Sequence, residues 1–107
     1  MIINNEQFKR AYQSAGVGFI CKYIAYFLEN KKRLEDREEK RKIIEEIYEE
    51  SNDKYITATR TRVNALLKII QANRVKESLE VVINSKQTRQ RYPKDILRVE
   101  RLLETLE

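Results

Sequence analysis

The sequence predicts an all-α fold: a compact single-domain bundle of five or six helices without a sheet. Two observations carry this reading. Only two Gly and one Pro occur in 107 residues, while Glu, Lys, Arg, Leu and Ile abound, a composition that helices accept and turns do not. Apolar residues also recur at i, i+3, i+4 and i+7 in one segment after another. The length suits one domain and lets the chain bury enough surface to fold alone, without a large margin.

Taken in order, Asn4 or Asn5 is a plausible N-cap for a first helix containing Phe8 and Tyr12. Gly16 and Gly18 interrupt it. A second helix begins near Gly18, with Phe19, Ile20, Tyr23, Ile24, Phe27 and Leu28 on the helical period. Ala25 and Tyr26 fall outside that stripe, so the helix is apolar over much of its circumference and belongs at the centre of a bundle or at a subunit contact. Residues 29–42 are almost wholly charged, with Leu34 the one apolar side chain. They form either a solvated helix or a joint near Asn30. Ile43, Ile44, Ile47 and Tyr48 make the next apolar face, which ends around Ser51-Asn52-Asp53. A helix over roughly 57–72 presents Ile56, Val63, Leu66, Leu67 and Ile70 and stops at Asn73. A short helix near 75–83 offers Val75, Leu79, Val82 and Ile83, although its β-branched end weakens the assignment. A polar loop, Asn84 to Tyr92, follows, and Pro93 opens a last helix bearing Ile96, Val99, Leu102, Leu103 and Leu106.

Composition removes several chemistries. With no His, serine and cysteine hydrolase constellations that use a His base are excluded, as is every His-ligated metal site. One Cys, Cys21, forms neither an internal disulfide nor a Cys-rich zinc site, and its apolar neighbours suggest a buried thiol in a reducing compartment. Gly16-Val17-Gly18 lacks the further Gly of a dinucleotide fingerprint and the Gly-Lys-Ser/Thr of a phosphate loop. The N-terminus shows no signal peptide, and the longest apolar run, Phe19 to Leu28, is far short of the about 20 residues that span a bilayer. A cytoplasmic, soluble protein without cofactor, metal or membrane attachment is expected. Asp36 with Glu38-Glu39-Lys40 matches the spacing of metal-dependent nucleases, but a helical charge run disperses those side chains around its axis. Glu45, Glu46, Glu49 and Glu50 lack the His that bundle di-metal sites require. No enzymatic activity is expected.

Charge is distributed unevenly. Residues 1–53, the aromatic-rich half, carry 10 basic and 11 acidic groups, a net of −1. Residues 54–94 carry 10 basic and two acidic groups, a net of +8, and the C-terminal helix region 95–107 has two basic and four acidic, a net of −2. No acid occurs from Lys54 to Lys76 or from Val81 to Lys94. Such a block inside a folded region is the electrostatic footprint of a phosphate-binding surface. At about 100° per residue, one flank of the 57–72 helix displays Thr57, Arg60, Thr61, Asn64, Lys68 and Gln71 as a continuous stripe. These side chains suit phosphates and base edges. The segment Ser85 to Tyr92 repeats the mixture.

The expected function is therefore that of a small nucleic-acid-binding protein or accessory subunit contacting DNA or RNA, mainly its backbone, through residues 54–94. Candidate contacts are Arg60, Thr61, Arg62, Asn64, Lys68, Gln71, Arg74, Lys86, Arg89, Arg91 and Lys94. The bland alternative for such a flank is exposure to water. A helix-turn-helix over 66–83 has roughly the right lengths, but its second helix carries Glu77 and Glu80. The reading from a different class is a protein–protein adaptor or self-associating module, a homo-oligomer or part of a larger complex, with Phe19, Tyr23, Tyr26 and Phe27 as its interface.

Overall fold

The computed structural model describes residues 1–106 and is all-helical there. The helices are α1 (Asn5–Ala15), α2 (Val17–Glu29), α3 (Lys31–Glu35), α4 (Arg37–Glu50), α5 (Ile56–Gln71), α6 (Val75–Ile83), α7 (Lys86–Arg91) and α8 (Pro93–Leu106). The described residues thus hold eight helices where five or six were expected. The additional two are short. Residues 29–42 break twice, at Asn30 and Asp36, and the expected polar loop 84–92 is itself a turn and a half of helix.

Local chemistry explains each boundary. Asn4 caps α1: its Oδ1 accepts from the Gln7 backbone N at 2.8 Å, and Gln7 Oε1 accepts from the Asn4 N at 2.9 Å, a reciprocal capping box. Gly16 alone ends α1 and starts α2, at φ 88° and ψ 132°. That conformation costs a Gly little and a side-chain-bearing residue much. Asn30 closes α2 by donating its Nδ2 to Tyr26 O at 2.8 Å. Asp36 caps α4 through Glu39 N at 3.0 Å. Beyond α5, Asn73 takes a left-handed φ of 58°. The Arg74 N–H then reaches Ile69 O at 3.1 Å and the Asn73 N–H reaches Ile70 O at 3.0 Å, the paired closure by which helices stop without Gly. Ser85 caps α7: its hydroxyl accepts from Thr88 N at 3.3 Å and bonds the Thr88 hydroxyl at 2.8 Å.

All but the short, polar α3 and α7 place several side chains in one core. α2 is central, touching α1, α3, α5, α6, α7 and α8. Its Ile20, Ile24 and Phe27 are sealed from solvent, together with Ile43 of α4, Val63, Leu66 and Ile69 of α5, Leu79 and Val82 of α6, and Val99 of α8. Leu34 anchors α3, and the hydroxyl-bearing Thr88 anchors α7. On α5 the buried face is Thr59, Val63, Ala65, Leu66 and Ile69. It is wider than the expected Val63–Leu66–Leu67–Ile70 stripe, and Leu67 and Ile70 lie at its half-buried edge. Two neighbours cause this. α1 packs along one side, where Ala11 and Ala65 line one groove, and α4 packs along the other. Arg74, just past the end of α5, bonds Asn5 at the start of α1, so those two helices run antiparallel. No helix among the described residues is long and apolar enough to cross a membrane.

Candidate nucleic-acid interface

The six residues of the α5 stripe, Thr57, Arg60, Thr61, Asn64, Lys68 and Gln71, are exposed at every position. They occupy what α1 and α4 leave uncovered. Between α5 and α1 runs a groove of about 340 Å³, where Thr61, Asn64 and Lys68 face Gln7, Arg10 and Ser14. Between α5 and α4 runs a larger groove of about 700 Å³, where Ile56, Arg60 and Asn64 face Arg37, Lys40, Arg41 and their acidic neighbours. Asn64 lines both and so marks the centre of the face. Among the described residues Arg10, Arg37, Lys40, Arg60 and Lys68 make no ion pair. Glu38 and Glu45, the acids beside Arg60, both bind Arg41, at 2.5 and 2.7 Å. The hydrogen bond from Arg41 holds the Glu38 carboxyl below its ordinary range. Asp36 caps a helix.

Three of the expected phosphate contacts are committed to the fold. Arg62 pairs with Asp53, whose carboxylate also accepts from the buried Thr59 hydroxyl at 2.7 Å. The Thr59 bond, with Arg62 adding to it, holds the Asp53 carboxyl below its ordinary range against the opposing effect of burial. Arg74 pairs with Glu77, bonds Asn5 Oδ1 at 2.8 Å and Ile3 O at 3.3 Å, and lays its guanidinium 4.4 Å from the Phe8 ring centroid. It clamps the N-terminal segment to the end of α5. Arg89 donates Nε to Ile83 O at 2.6 Å and approaches Glu100 at 3.5 Å, tying α6, α7 and α8 together. In each case a nearby oxygen engages the guanidinium, a meeting that sequence spacing does not reveal.

Lys86, Arg91 and Lys94 are exposed on and after α7. Lys86, Arg91 and Lys94 line neither α5 groove, so the basic block does not converge on one face. Conversely, Arg10, Arg37 and Lys40 join the α5 face from the near-neutral half. Gln7, Arg10 and Ser14 share one helical flank at i, i+3 and i+7, a signal present in the sequence; that this flank meets α5 is not.

The nuclease-like spacing disperses as expected: Asp36 caps α4, Glu38 binds Arg41, and Glu39 lies 3.7 Å from Arg33 and 3.4 Å from Lys42. A DNA-reading role for α6 is opposed by Glu77 and Glu80, both exposed on it. The expected interface aromatics divide by burial. Phe27 is fully buried and offers no surface, while Phe19, Tyr23 and Tyr26 are half-buried against the core. The Tyr23 hydroxyl donates to Glu50 at 3.0 Å, and burial together with that bond raises its pKa. No protein-family model, curated protein or solved structure matches this chain.

Proposed function

We propose that the protein binds nucleic acid by its phosphate backbone, through the face formed by α5 with its neighbours α1 and α4. The observation that carries this is a set of cations that make no ion pair among the described residues, Arg10, Arg37, Lys40, Arg60 and Lys68, around exposed Thr57, Thr61, Asn64 and Gln71. Cations supply the affinity, and hydroxyls and amides orient the ligand. Because α1 and α4 flank α5, the helix does not project alone. A lone helix of about 10–12 Å fits a major groove about 12 Å wide, whereas a three-helix face rests across the backbone. The test is anisotropy of a labelled duplex and a labelled single strand at about 50 mM salt, with wild type and the Arg60→Ala/Lys68→Ala pair. Binding that the pair weakens supports the reading, and no binding to either probe refutes it.

A second reading, a protein–protein adaptor or self-associating module, has one observation in its favour. Leu97, 59% exposed, and Leu106, 46% exposed, stand on α8 outside the core. A monomeric mass by light scattering would count against self-association.

A further inference from the structure

Two sequence features that the α5 face does not use meet elsewhere in the fold. Gly18 and the Ser85–Tyr92 segment lie some seventy residues apart in the chain, yet they line one cleft of about 620 Å³ between the start of α2 and α7. Its principal side chains are Gln87, Gln90, Arg91 and Tyr92. The fit at its floor is close. A Cβ on Gly18 would stand 3.0 Å from Tyr92 Cε2, so the missing side chain is what lets the ring lie there. The Arg91 guanidinium is 5.7 Å from the same ring centroid. Among the described residues no acid lines the cleft itself. Glu50 and Asp53 line the adjoining pocket that shares Gly18, Arg91 and Tyr92 with it, and Lys86 within the segment and Lys94 just after it are exposed.

The chemistry of this lining is selective. Its volume is that of a small-molecule site, but its one aliphatic lining side chain is Val17, so an apolar ligand gains little there. Carboxamides both donate and accept, as the edge of a nucleobase requires. A tyrosine ring offers a π-surface to a heteroaromatic, and a guanidinium offers a planar fork to a phosphate. Arg91 is the one charged side chain in the cleft's own lining, and it sets the sign of the ligand group that the cleft favours.

We propose that this cleft binds a nucleotide, with the base against Tyr92, its edge on the Gln87 and Gln90 carboxamides, and its phosphate on Arg91. The site is independent of the α1–α5–α4 face, with which it shares no lining residue. Such a nucleotide is either free or an unpaired residue of a strand.

The experiment is an amide-resolved NMR titration of the whole chain with adenosine 5′-monophosphate, and separately with inorganic phosphate, each to about 10 mM. Shifts confined to residues 17–18 and 85–92, with weaker binding of phosphate alone, are expected. Arg91→Ala and Gln90→Ala, both at exposed positions, should weaken binding several-fold without unfolding the chain. Tyr92→Leu should cost about 5- to 150-fold, the range found for lost base stacking. A mononucleotide of 2-aminopurine and the same base unpaired in a short strand separate the two sources: quenching by both assigns the site to strands, and by the mononucleotide alone to a free ligand. The proposal is overturned if no shifts occur, if shifts centre on Asn64 and Lys68 instead, if phosphate binds as well as the nucleotide, or if Arg91→Ala leaves affinity unchanged. Failure of duplex binding at the α5 face leaves this titration intact, so the two proposals fail separately.

Discussion

If the α5 face contacts phosphates, its cations separate by experiment from those that hold the fold together. The perturbation is a pair of variants, Arg60→Ala/Lys68→Ala and Arg62→Ala, compared with wild type. Both change residues of the same helix and the same charge type. Five cations on the face make no ion pair among the described residues. If each neutralises one phosphate, the plot of log K against log salt has a slope of about −4.5 on a duplex. Between about 50 and 200 mM salt that slope loses about 500-fold in affinity. Removing Arg60 and Lys68 leaves three contacts, a slope of about −2.7 and a loss of about 40-fold over the same range. Arg62 behaves differently, because its guanidinium pairs with Asp53 in the link before α5. Its removal should lower thermal stability and leave the salt slope where it was. Fluorescence anisotropy at four or five salt concentrations reads the slope, and a melting curve reads the stability. An unchanged slope in the Arg60/Lys68 pair, or an equal fall in slope on losing Arg62, would refute the assignment of roles.

Other consequences are open to direct measurement. Phe27→Ala empties a fully buried site and should destabilise by about 3–5 kcal/mol, lowering the Tm by at least about 10 °C. Gly16→Ala meets no atom within 4 Å, so its cost is the φ of 88° alone, about 1–3 kcal/mol by denaturant titration; a neutral result would show that the α1–α2 joint relaxes. Burial pushes the Cys21 thiol up to about 11, so a thiol reagent at about pH 8 should label it in denaturant and not in the native protein. The Asp53 carboxyl titrates lower when folded than unfolded. Its contribution is therefore present above the unfolded value of about 3.9 and declines as pH falls toward the folded one. Urea unfolding across this acid range should show a steeper loss for wild type than for Asp53→Asn, and parallel curves would contradict the pairing.

Much of this architecture is written in local sequence. Gly16, Asn73 and Pro93 mark boundaries by backbone chemistry that operates wherever they occur, and the α1, α2 and α6 stripes follow the helical period. α7 escapes that logic because Lys86 to Arg91 contains no apolar residue. Its helix depends on the Ser85 cap and on burial of Thr88, so periodicity had nothing to detect. The candidate site divides in the same way. Exposure of the α5 stripe follows from spacing on a single helix. The fates of Arg62, Arg74 and Arg89 depend on oxygens 9, 69–71 and 6–11 residues away, and those meetings exist only after folding. Arg10 entered the face for the same reason: α1 and α5 are strangers in sequence and partners in space.

The pairing of α1 with α5 also bears on how the chain is made. α1 packs more extensively on α5 than on any other helix, yet α5 is complete only at Gln71, when two-thirds of the 107 residues have been synthesised. At about 5–20 residues per second, the 56 residues between Ala15 and Gln71 take roughly 3 to 11 s. During that interval Phe8, Ala11 and Ala15 have α2 as a neighbour but lack the helix that covers them most. A nascent chain stalled before Ile56 therefore exposes an apolar flank that the finished protein hides, and α1 settles only after the middle of the molecule has emerged.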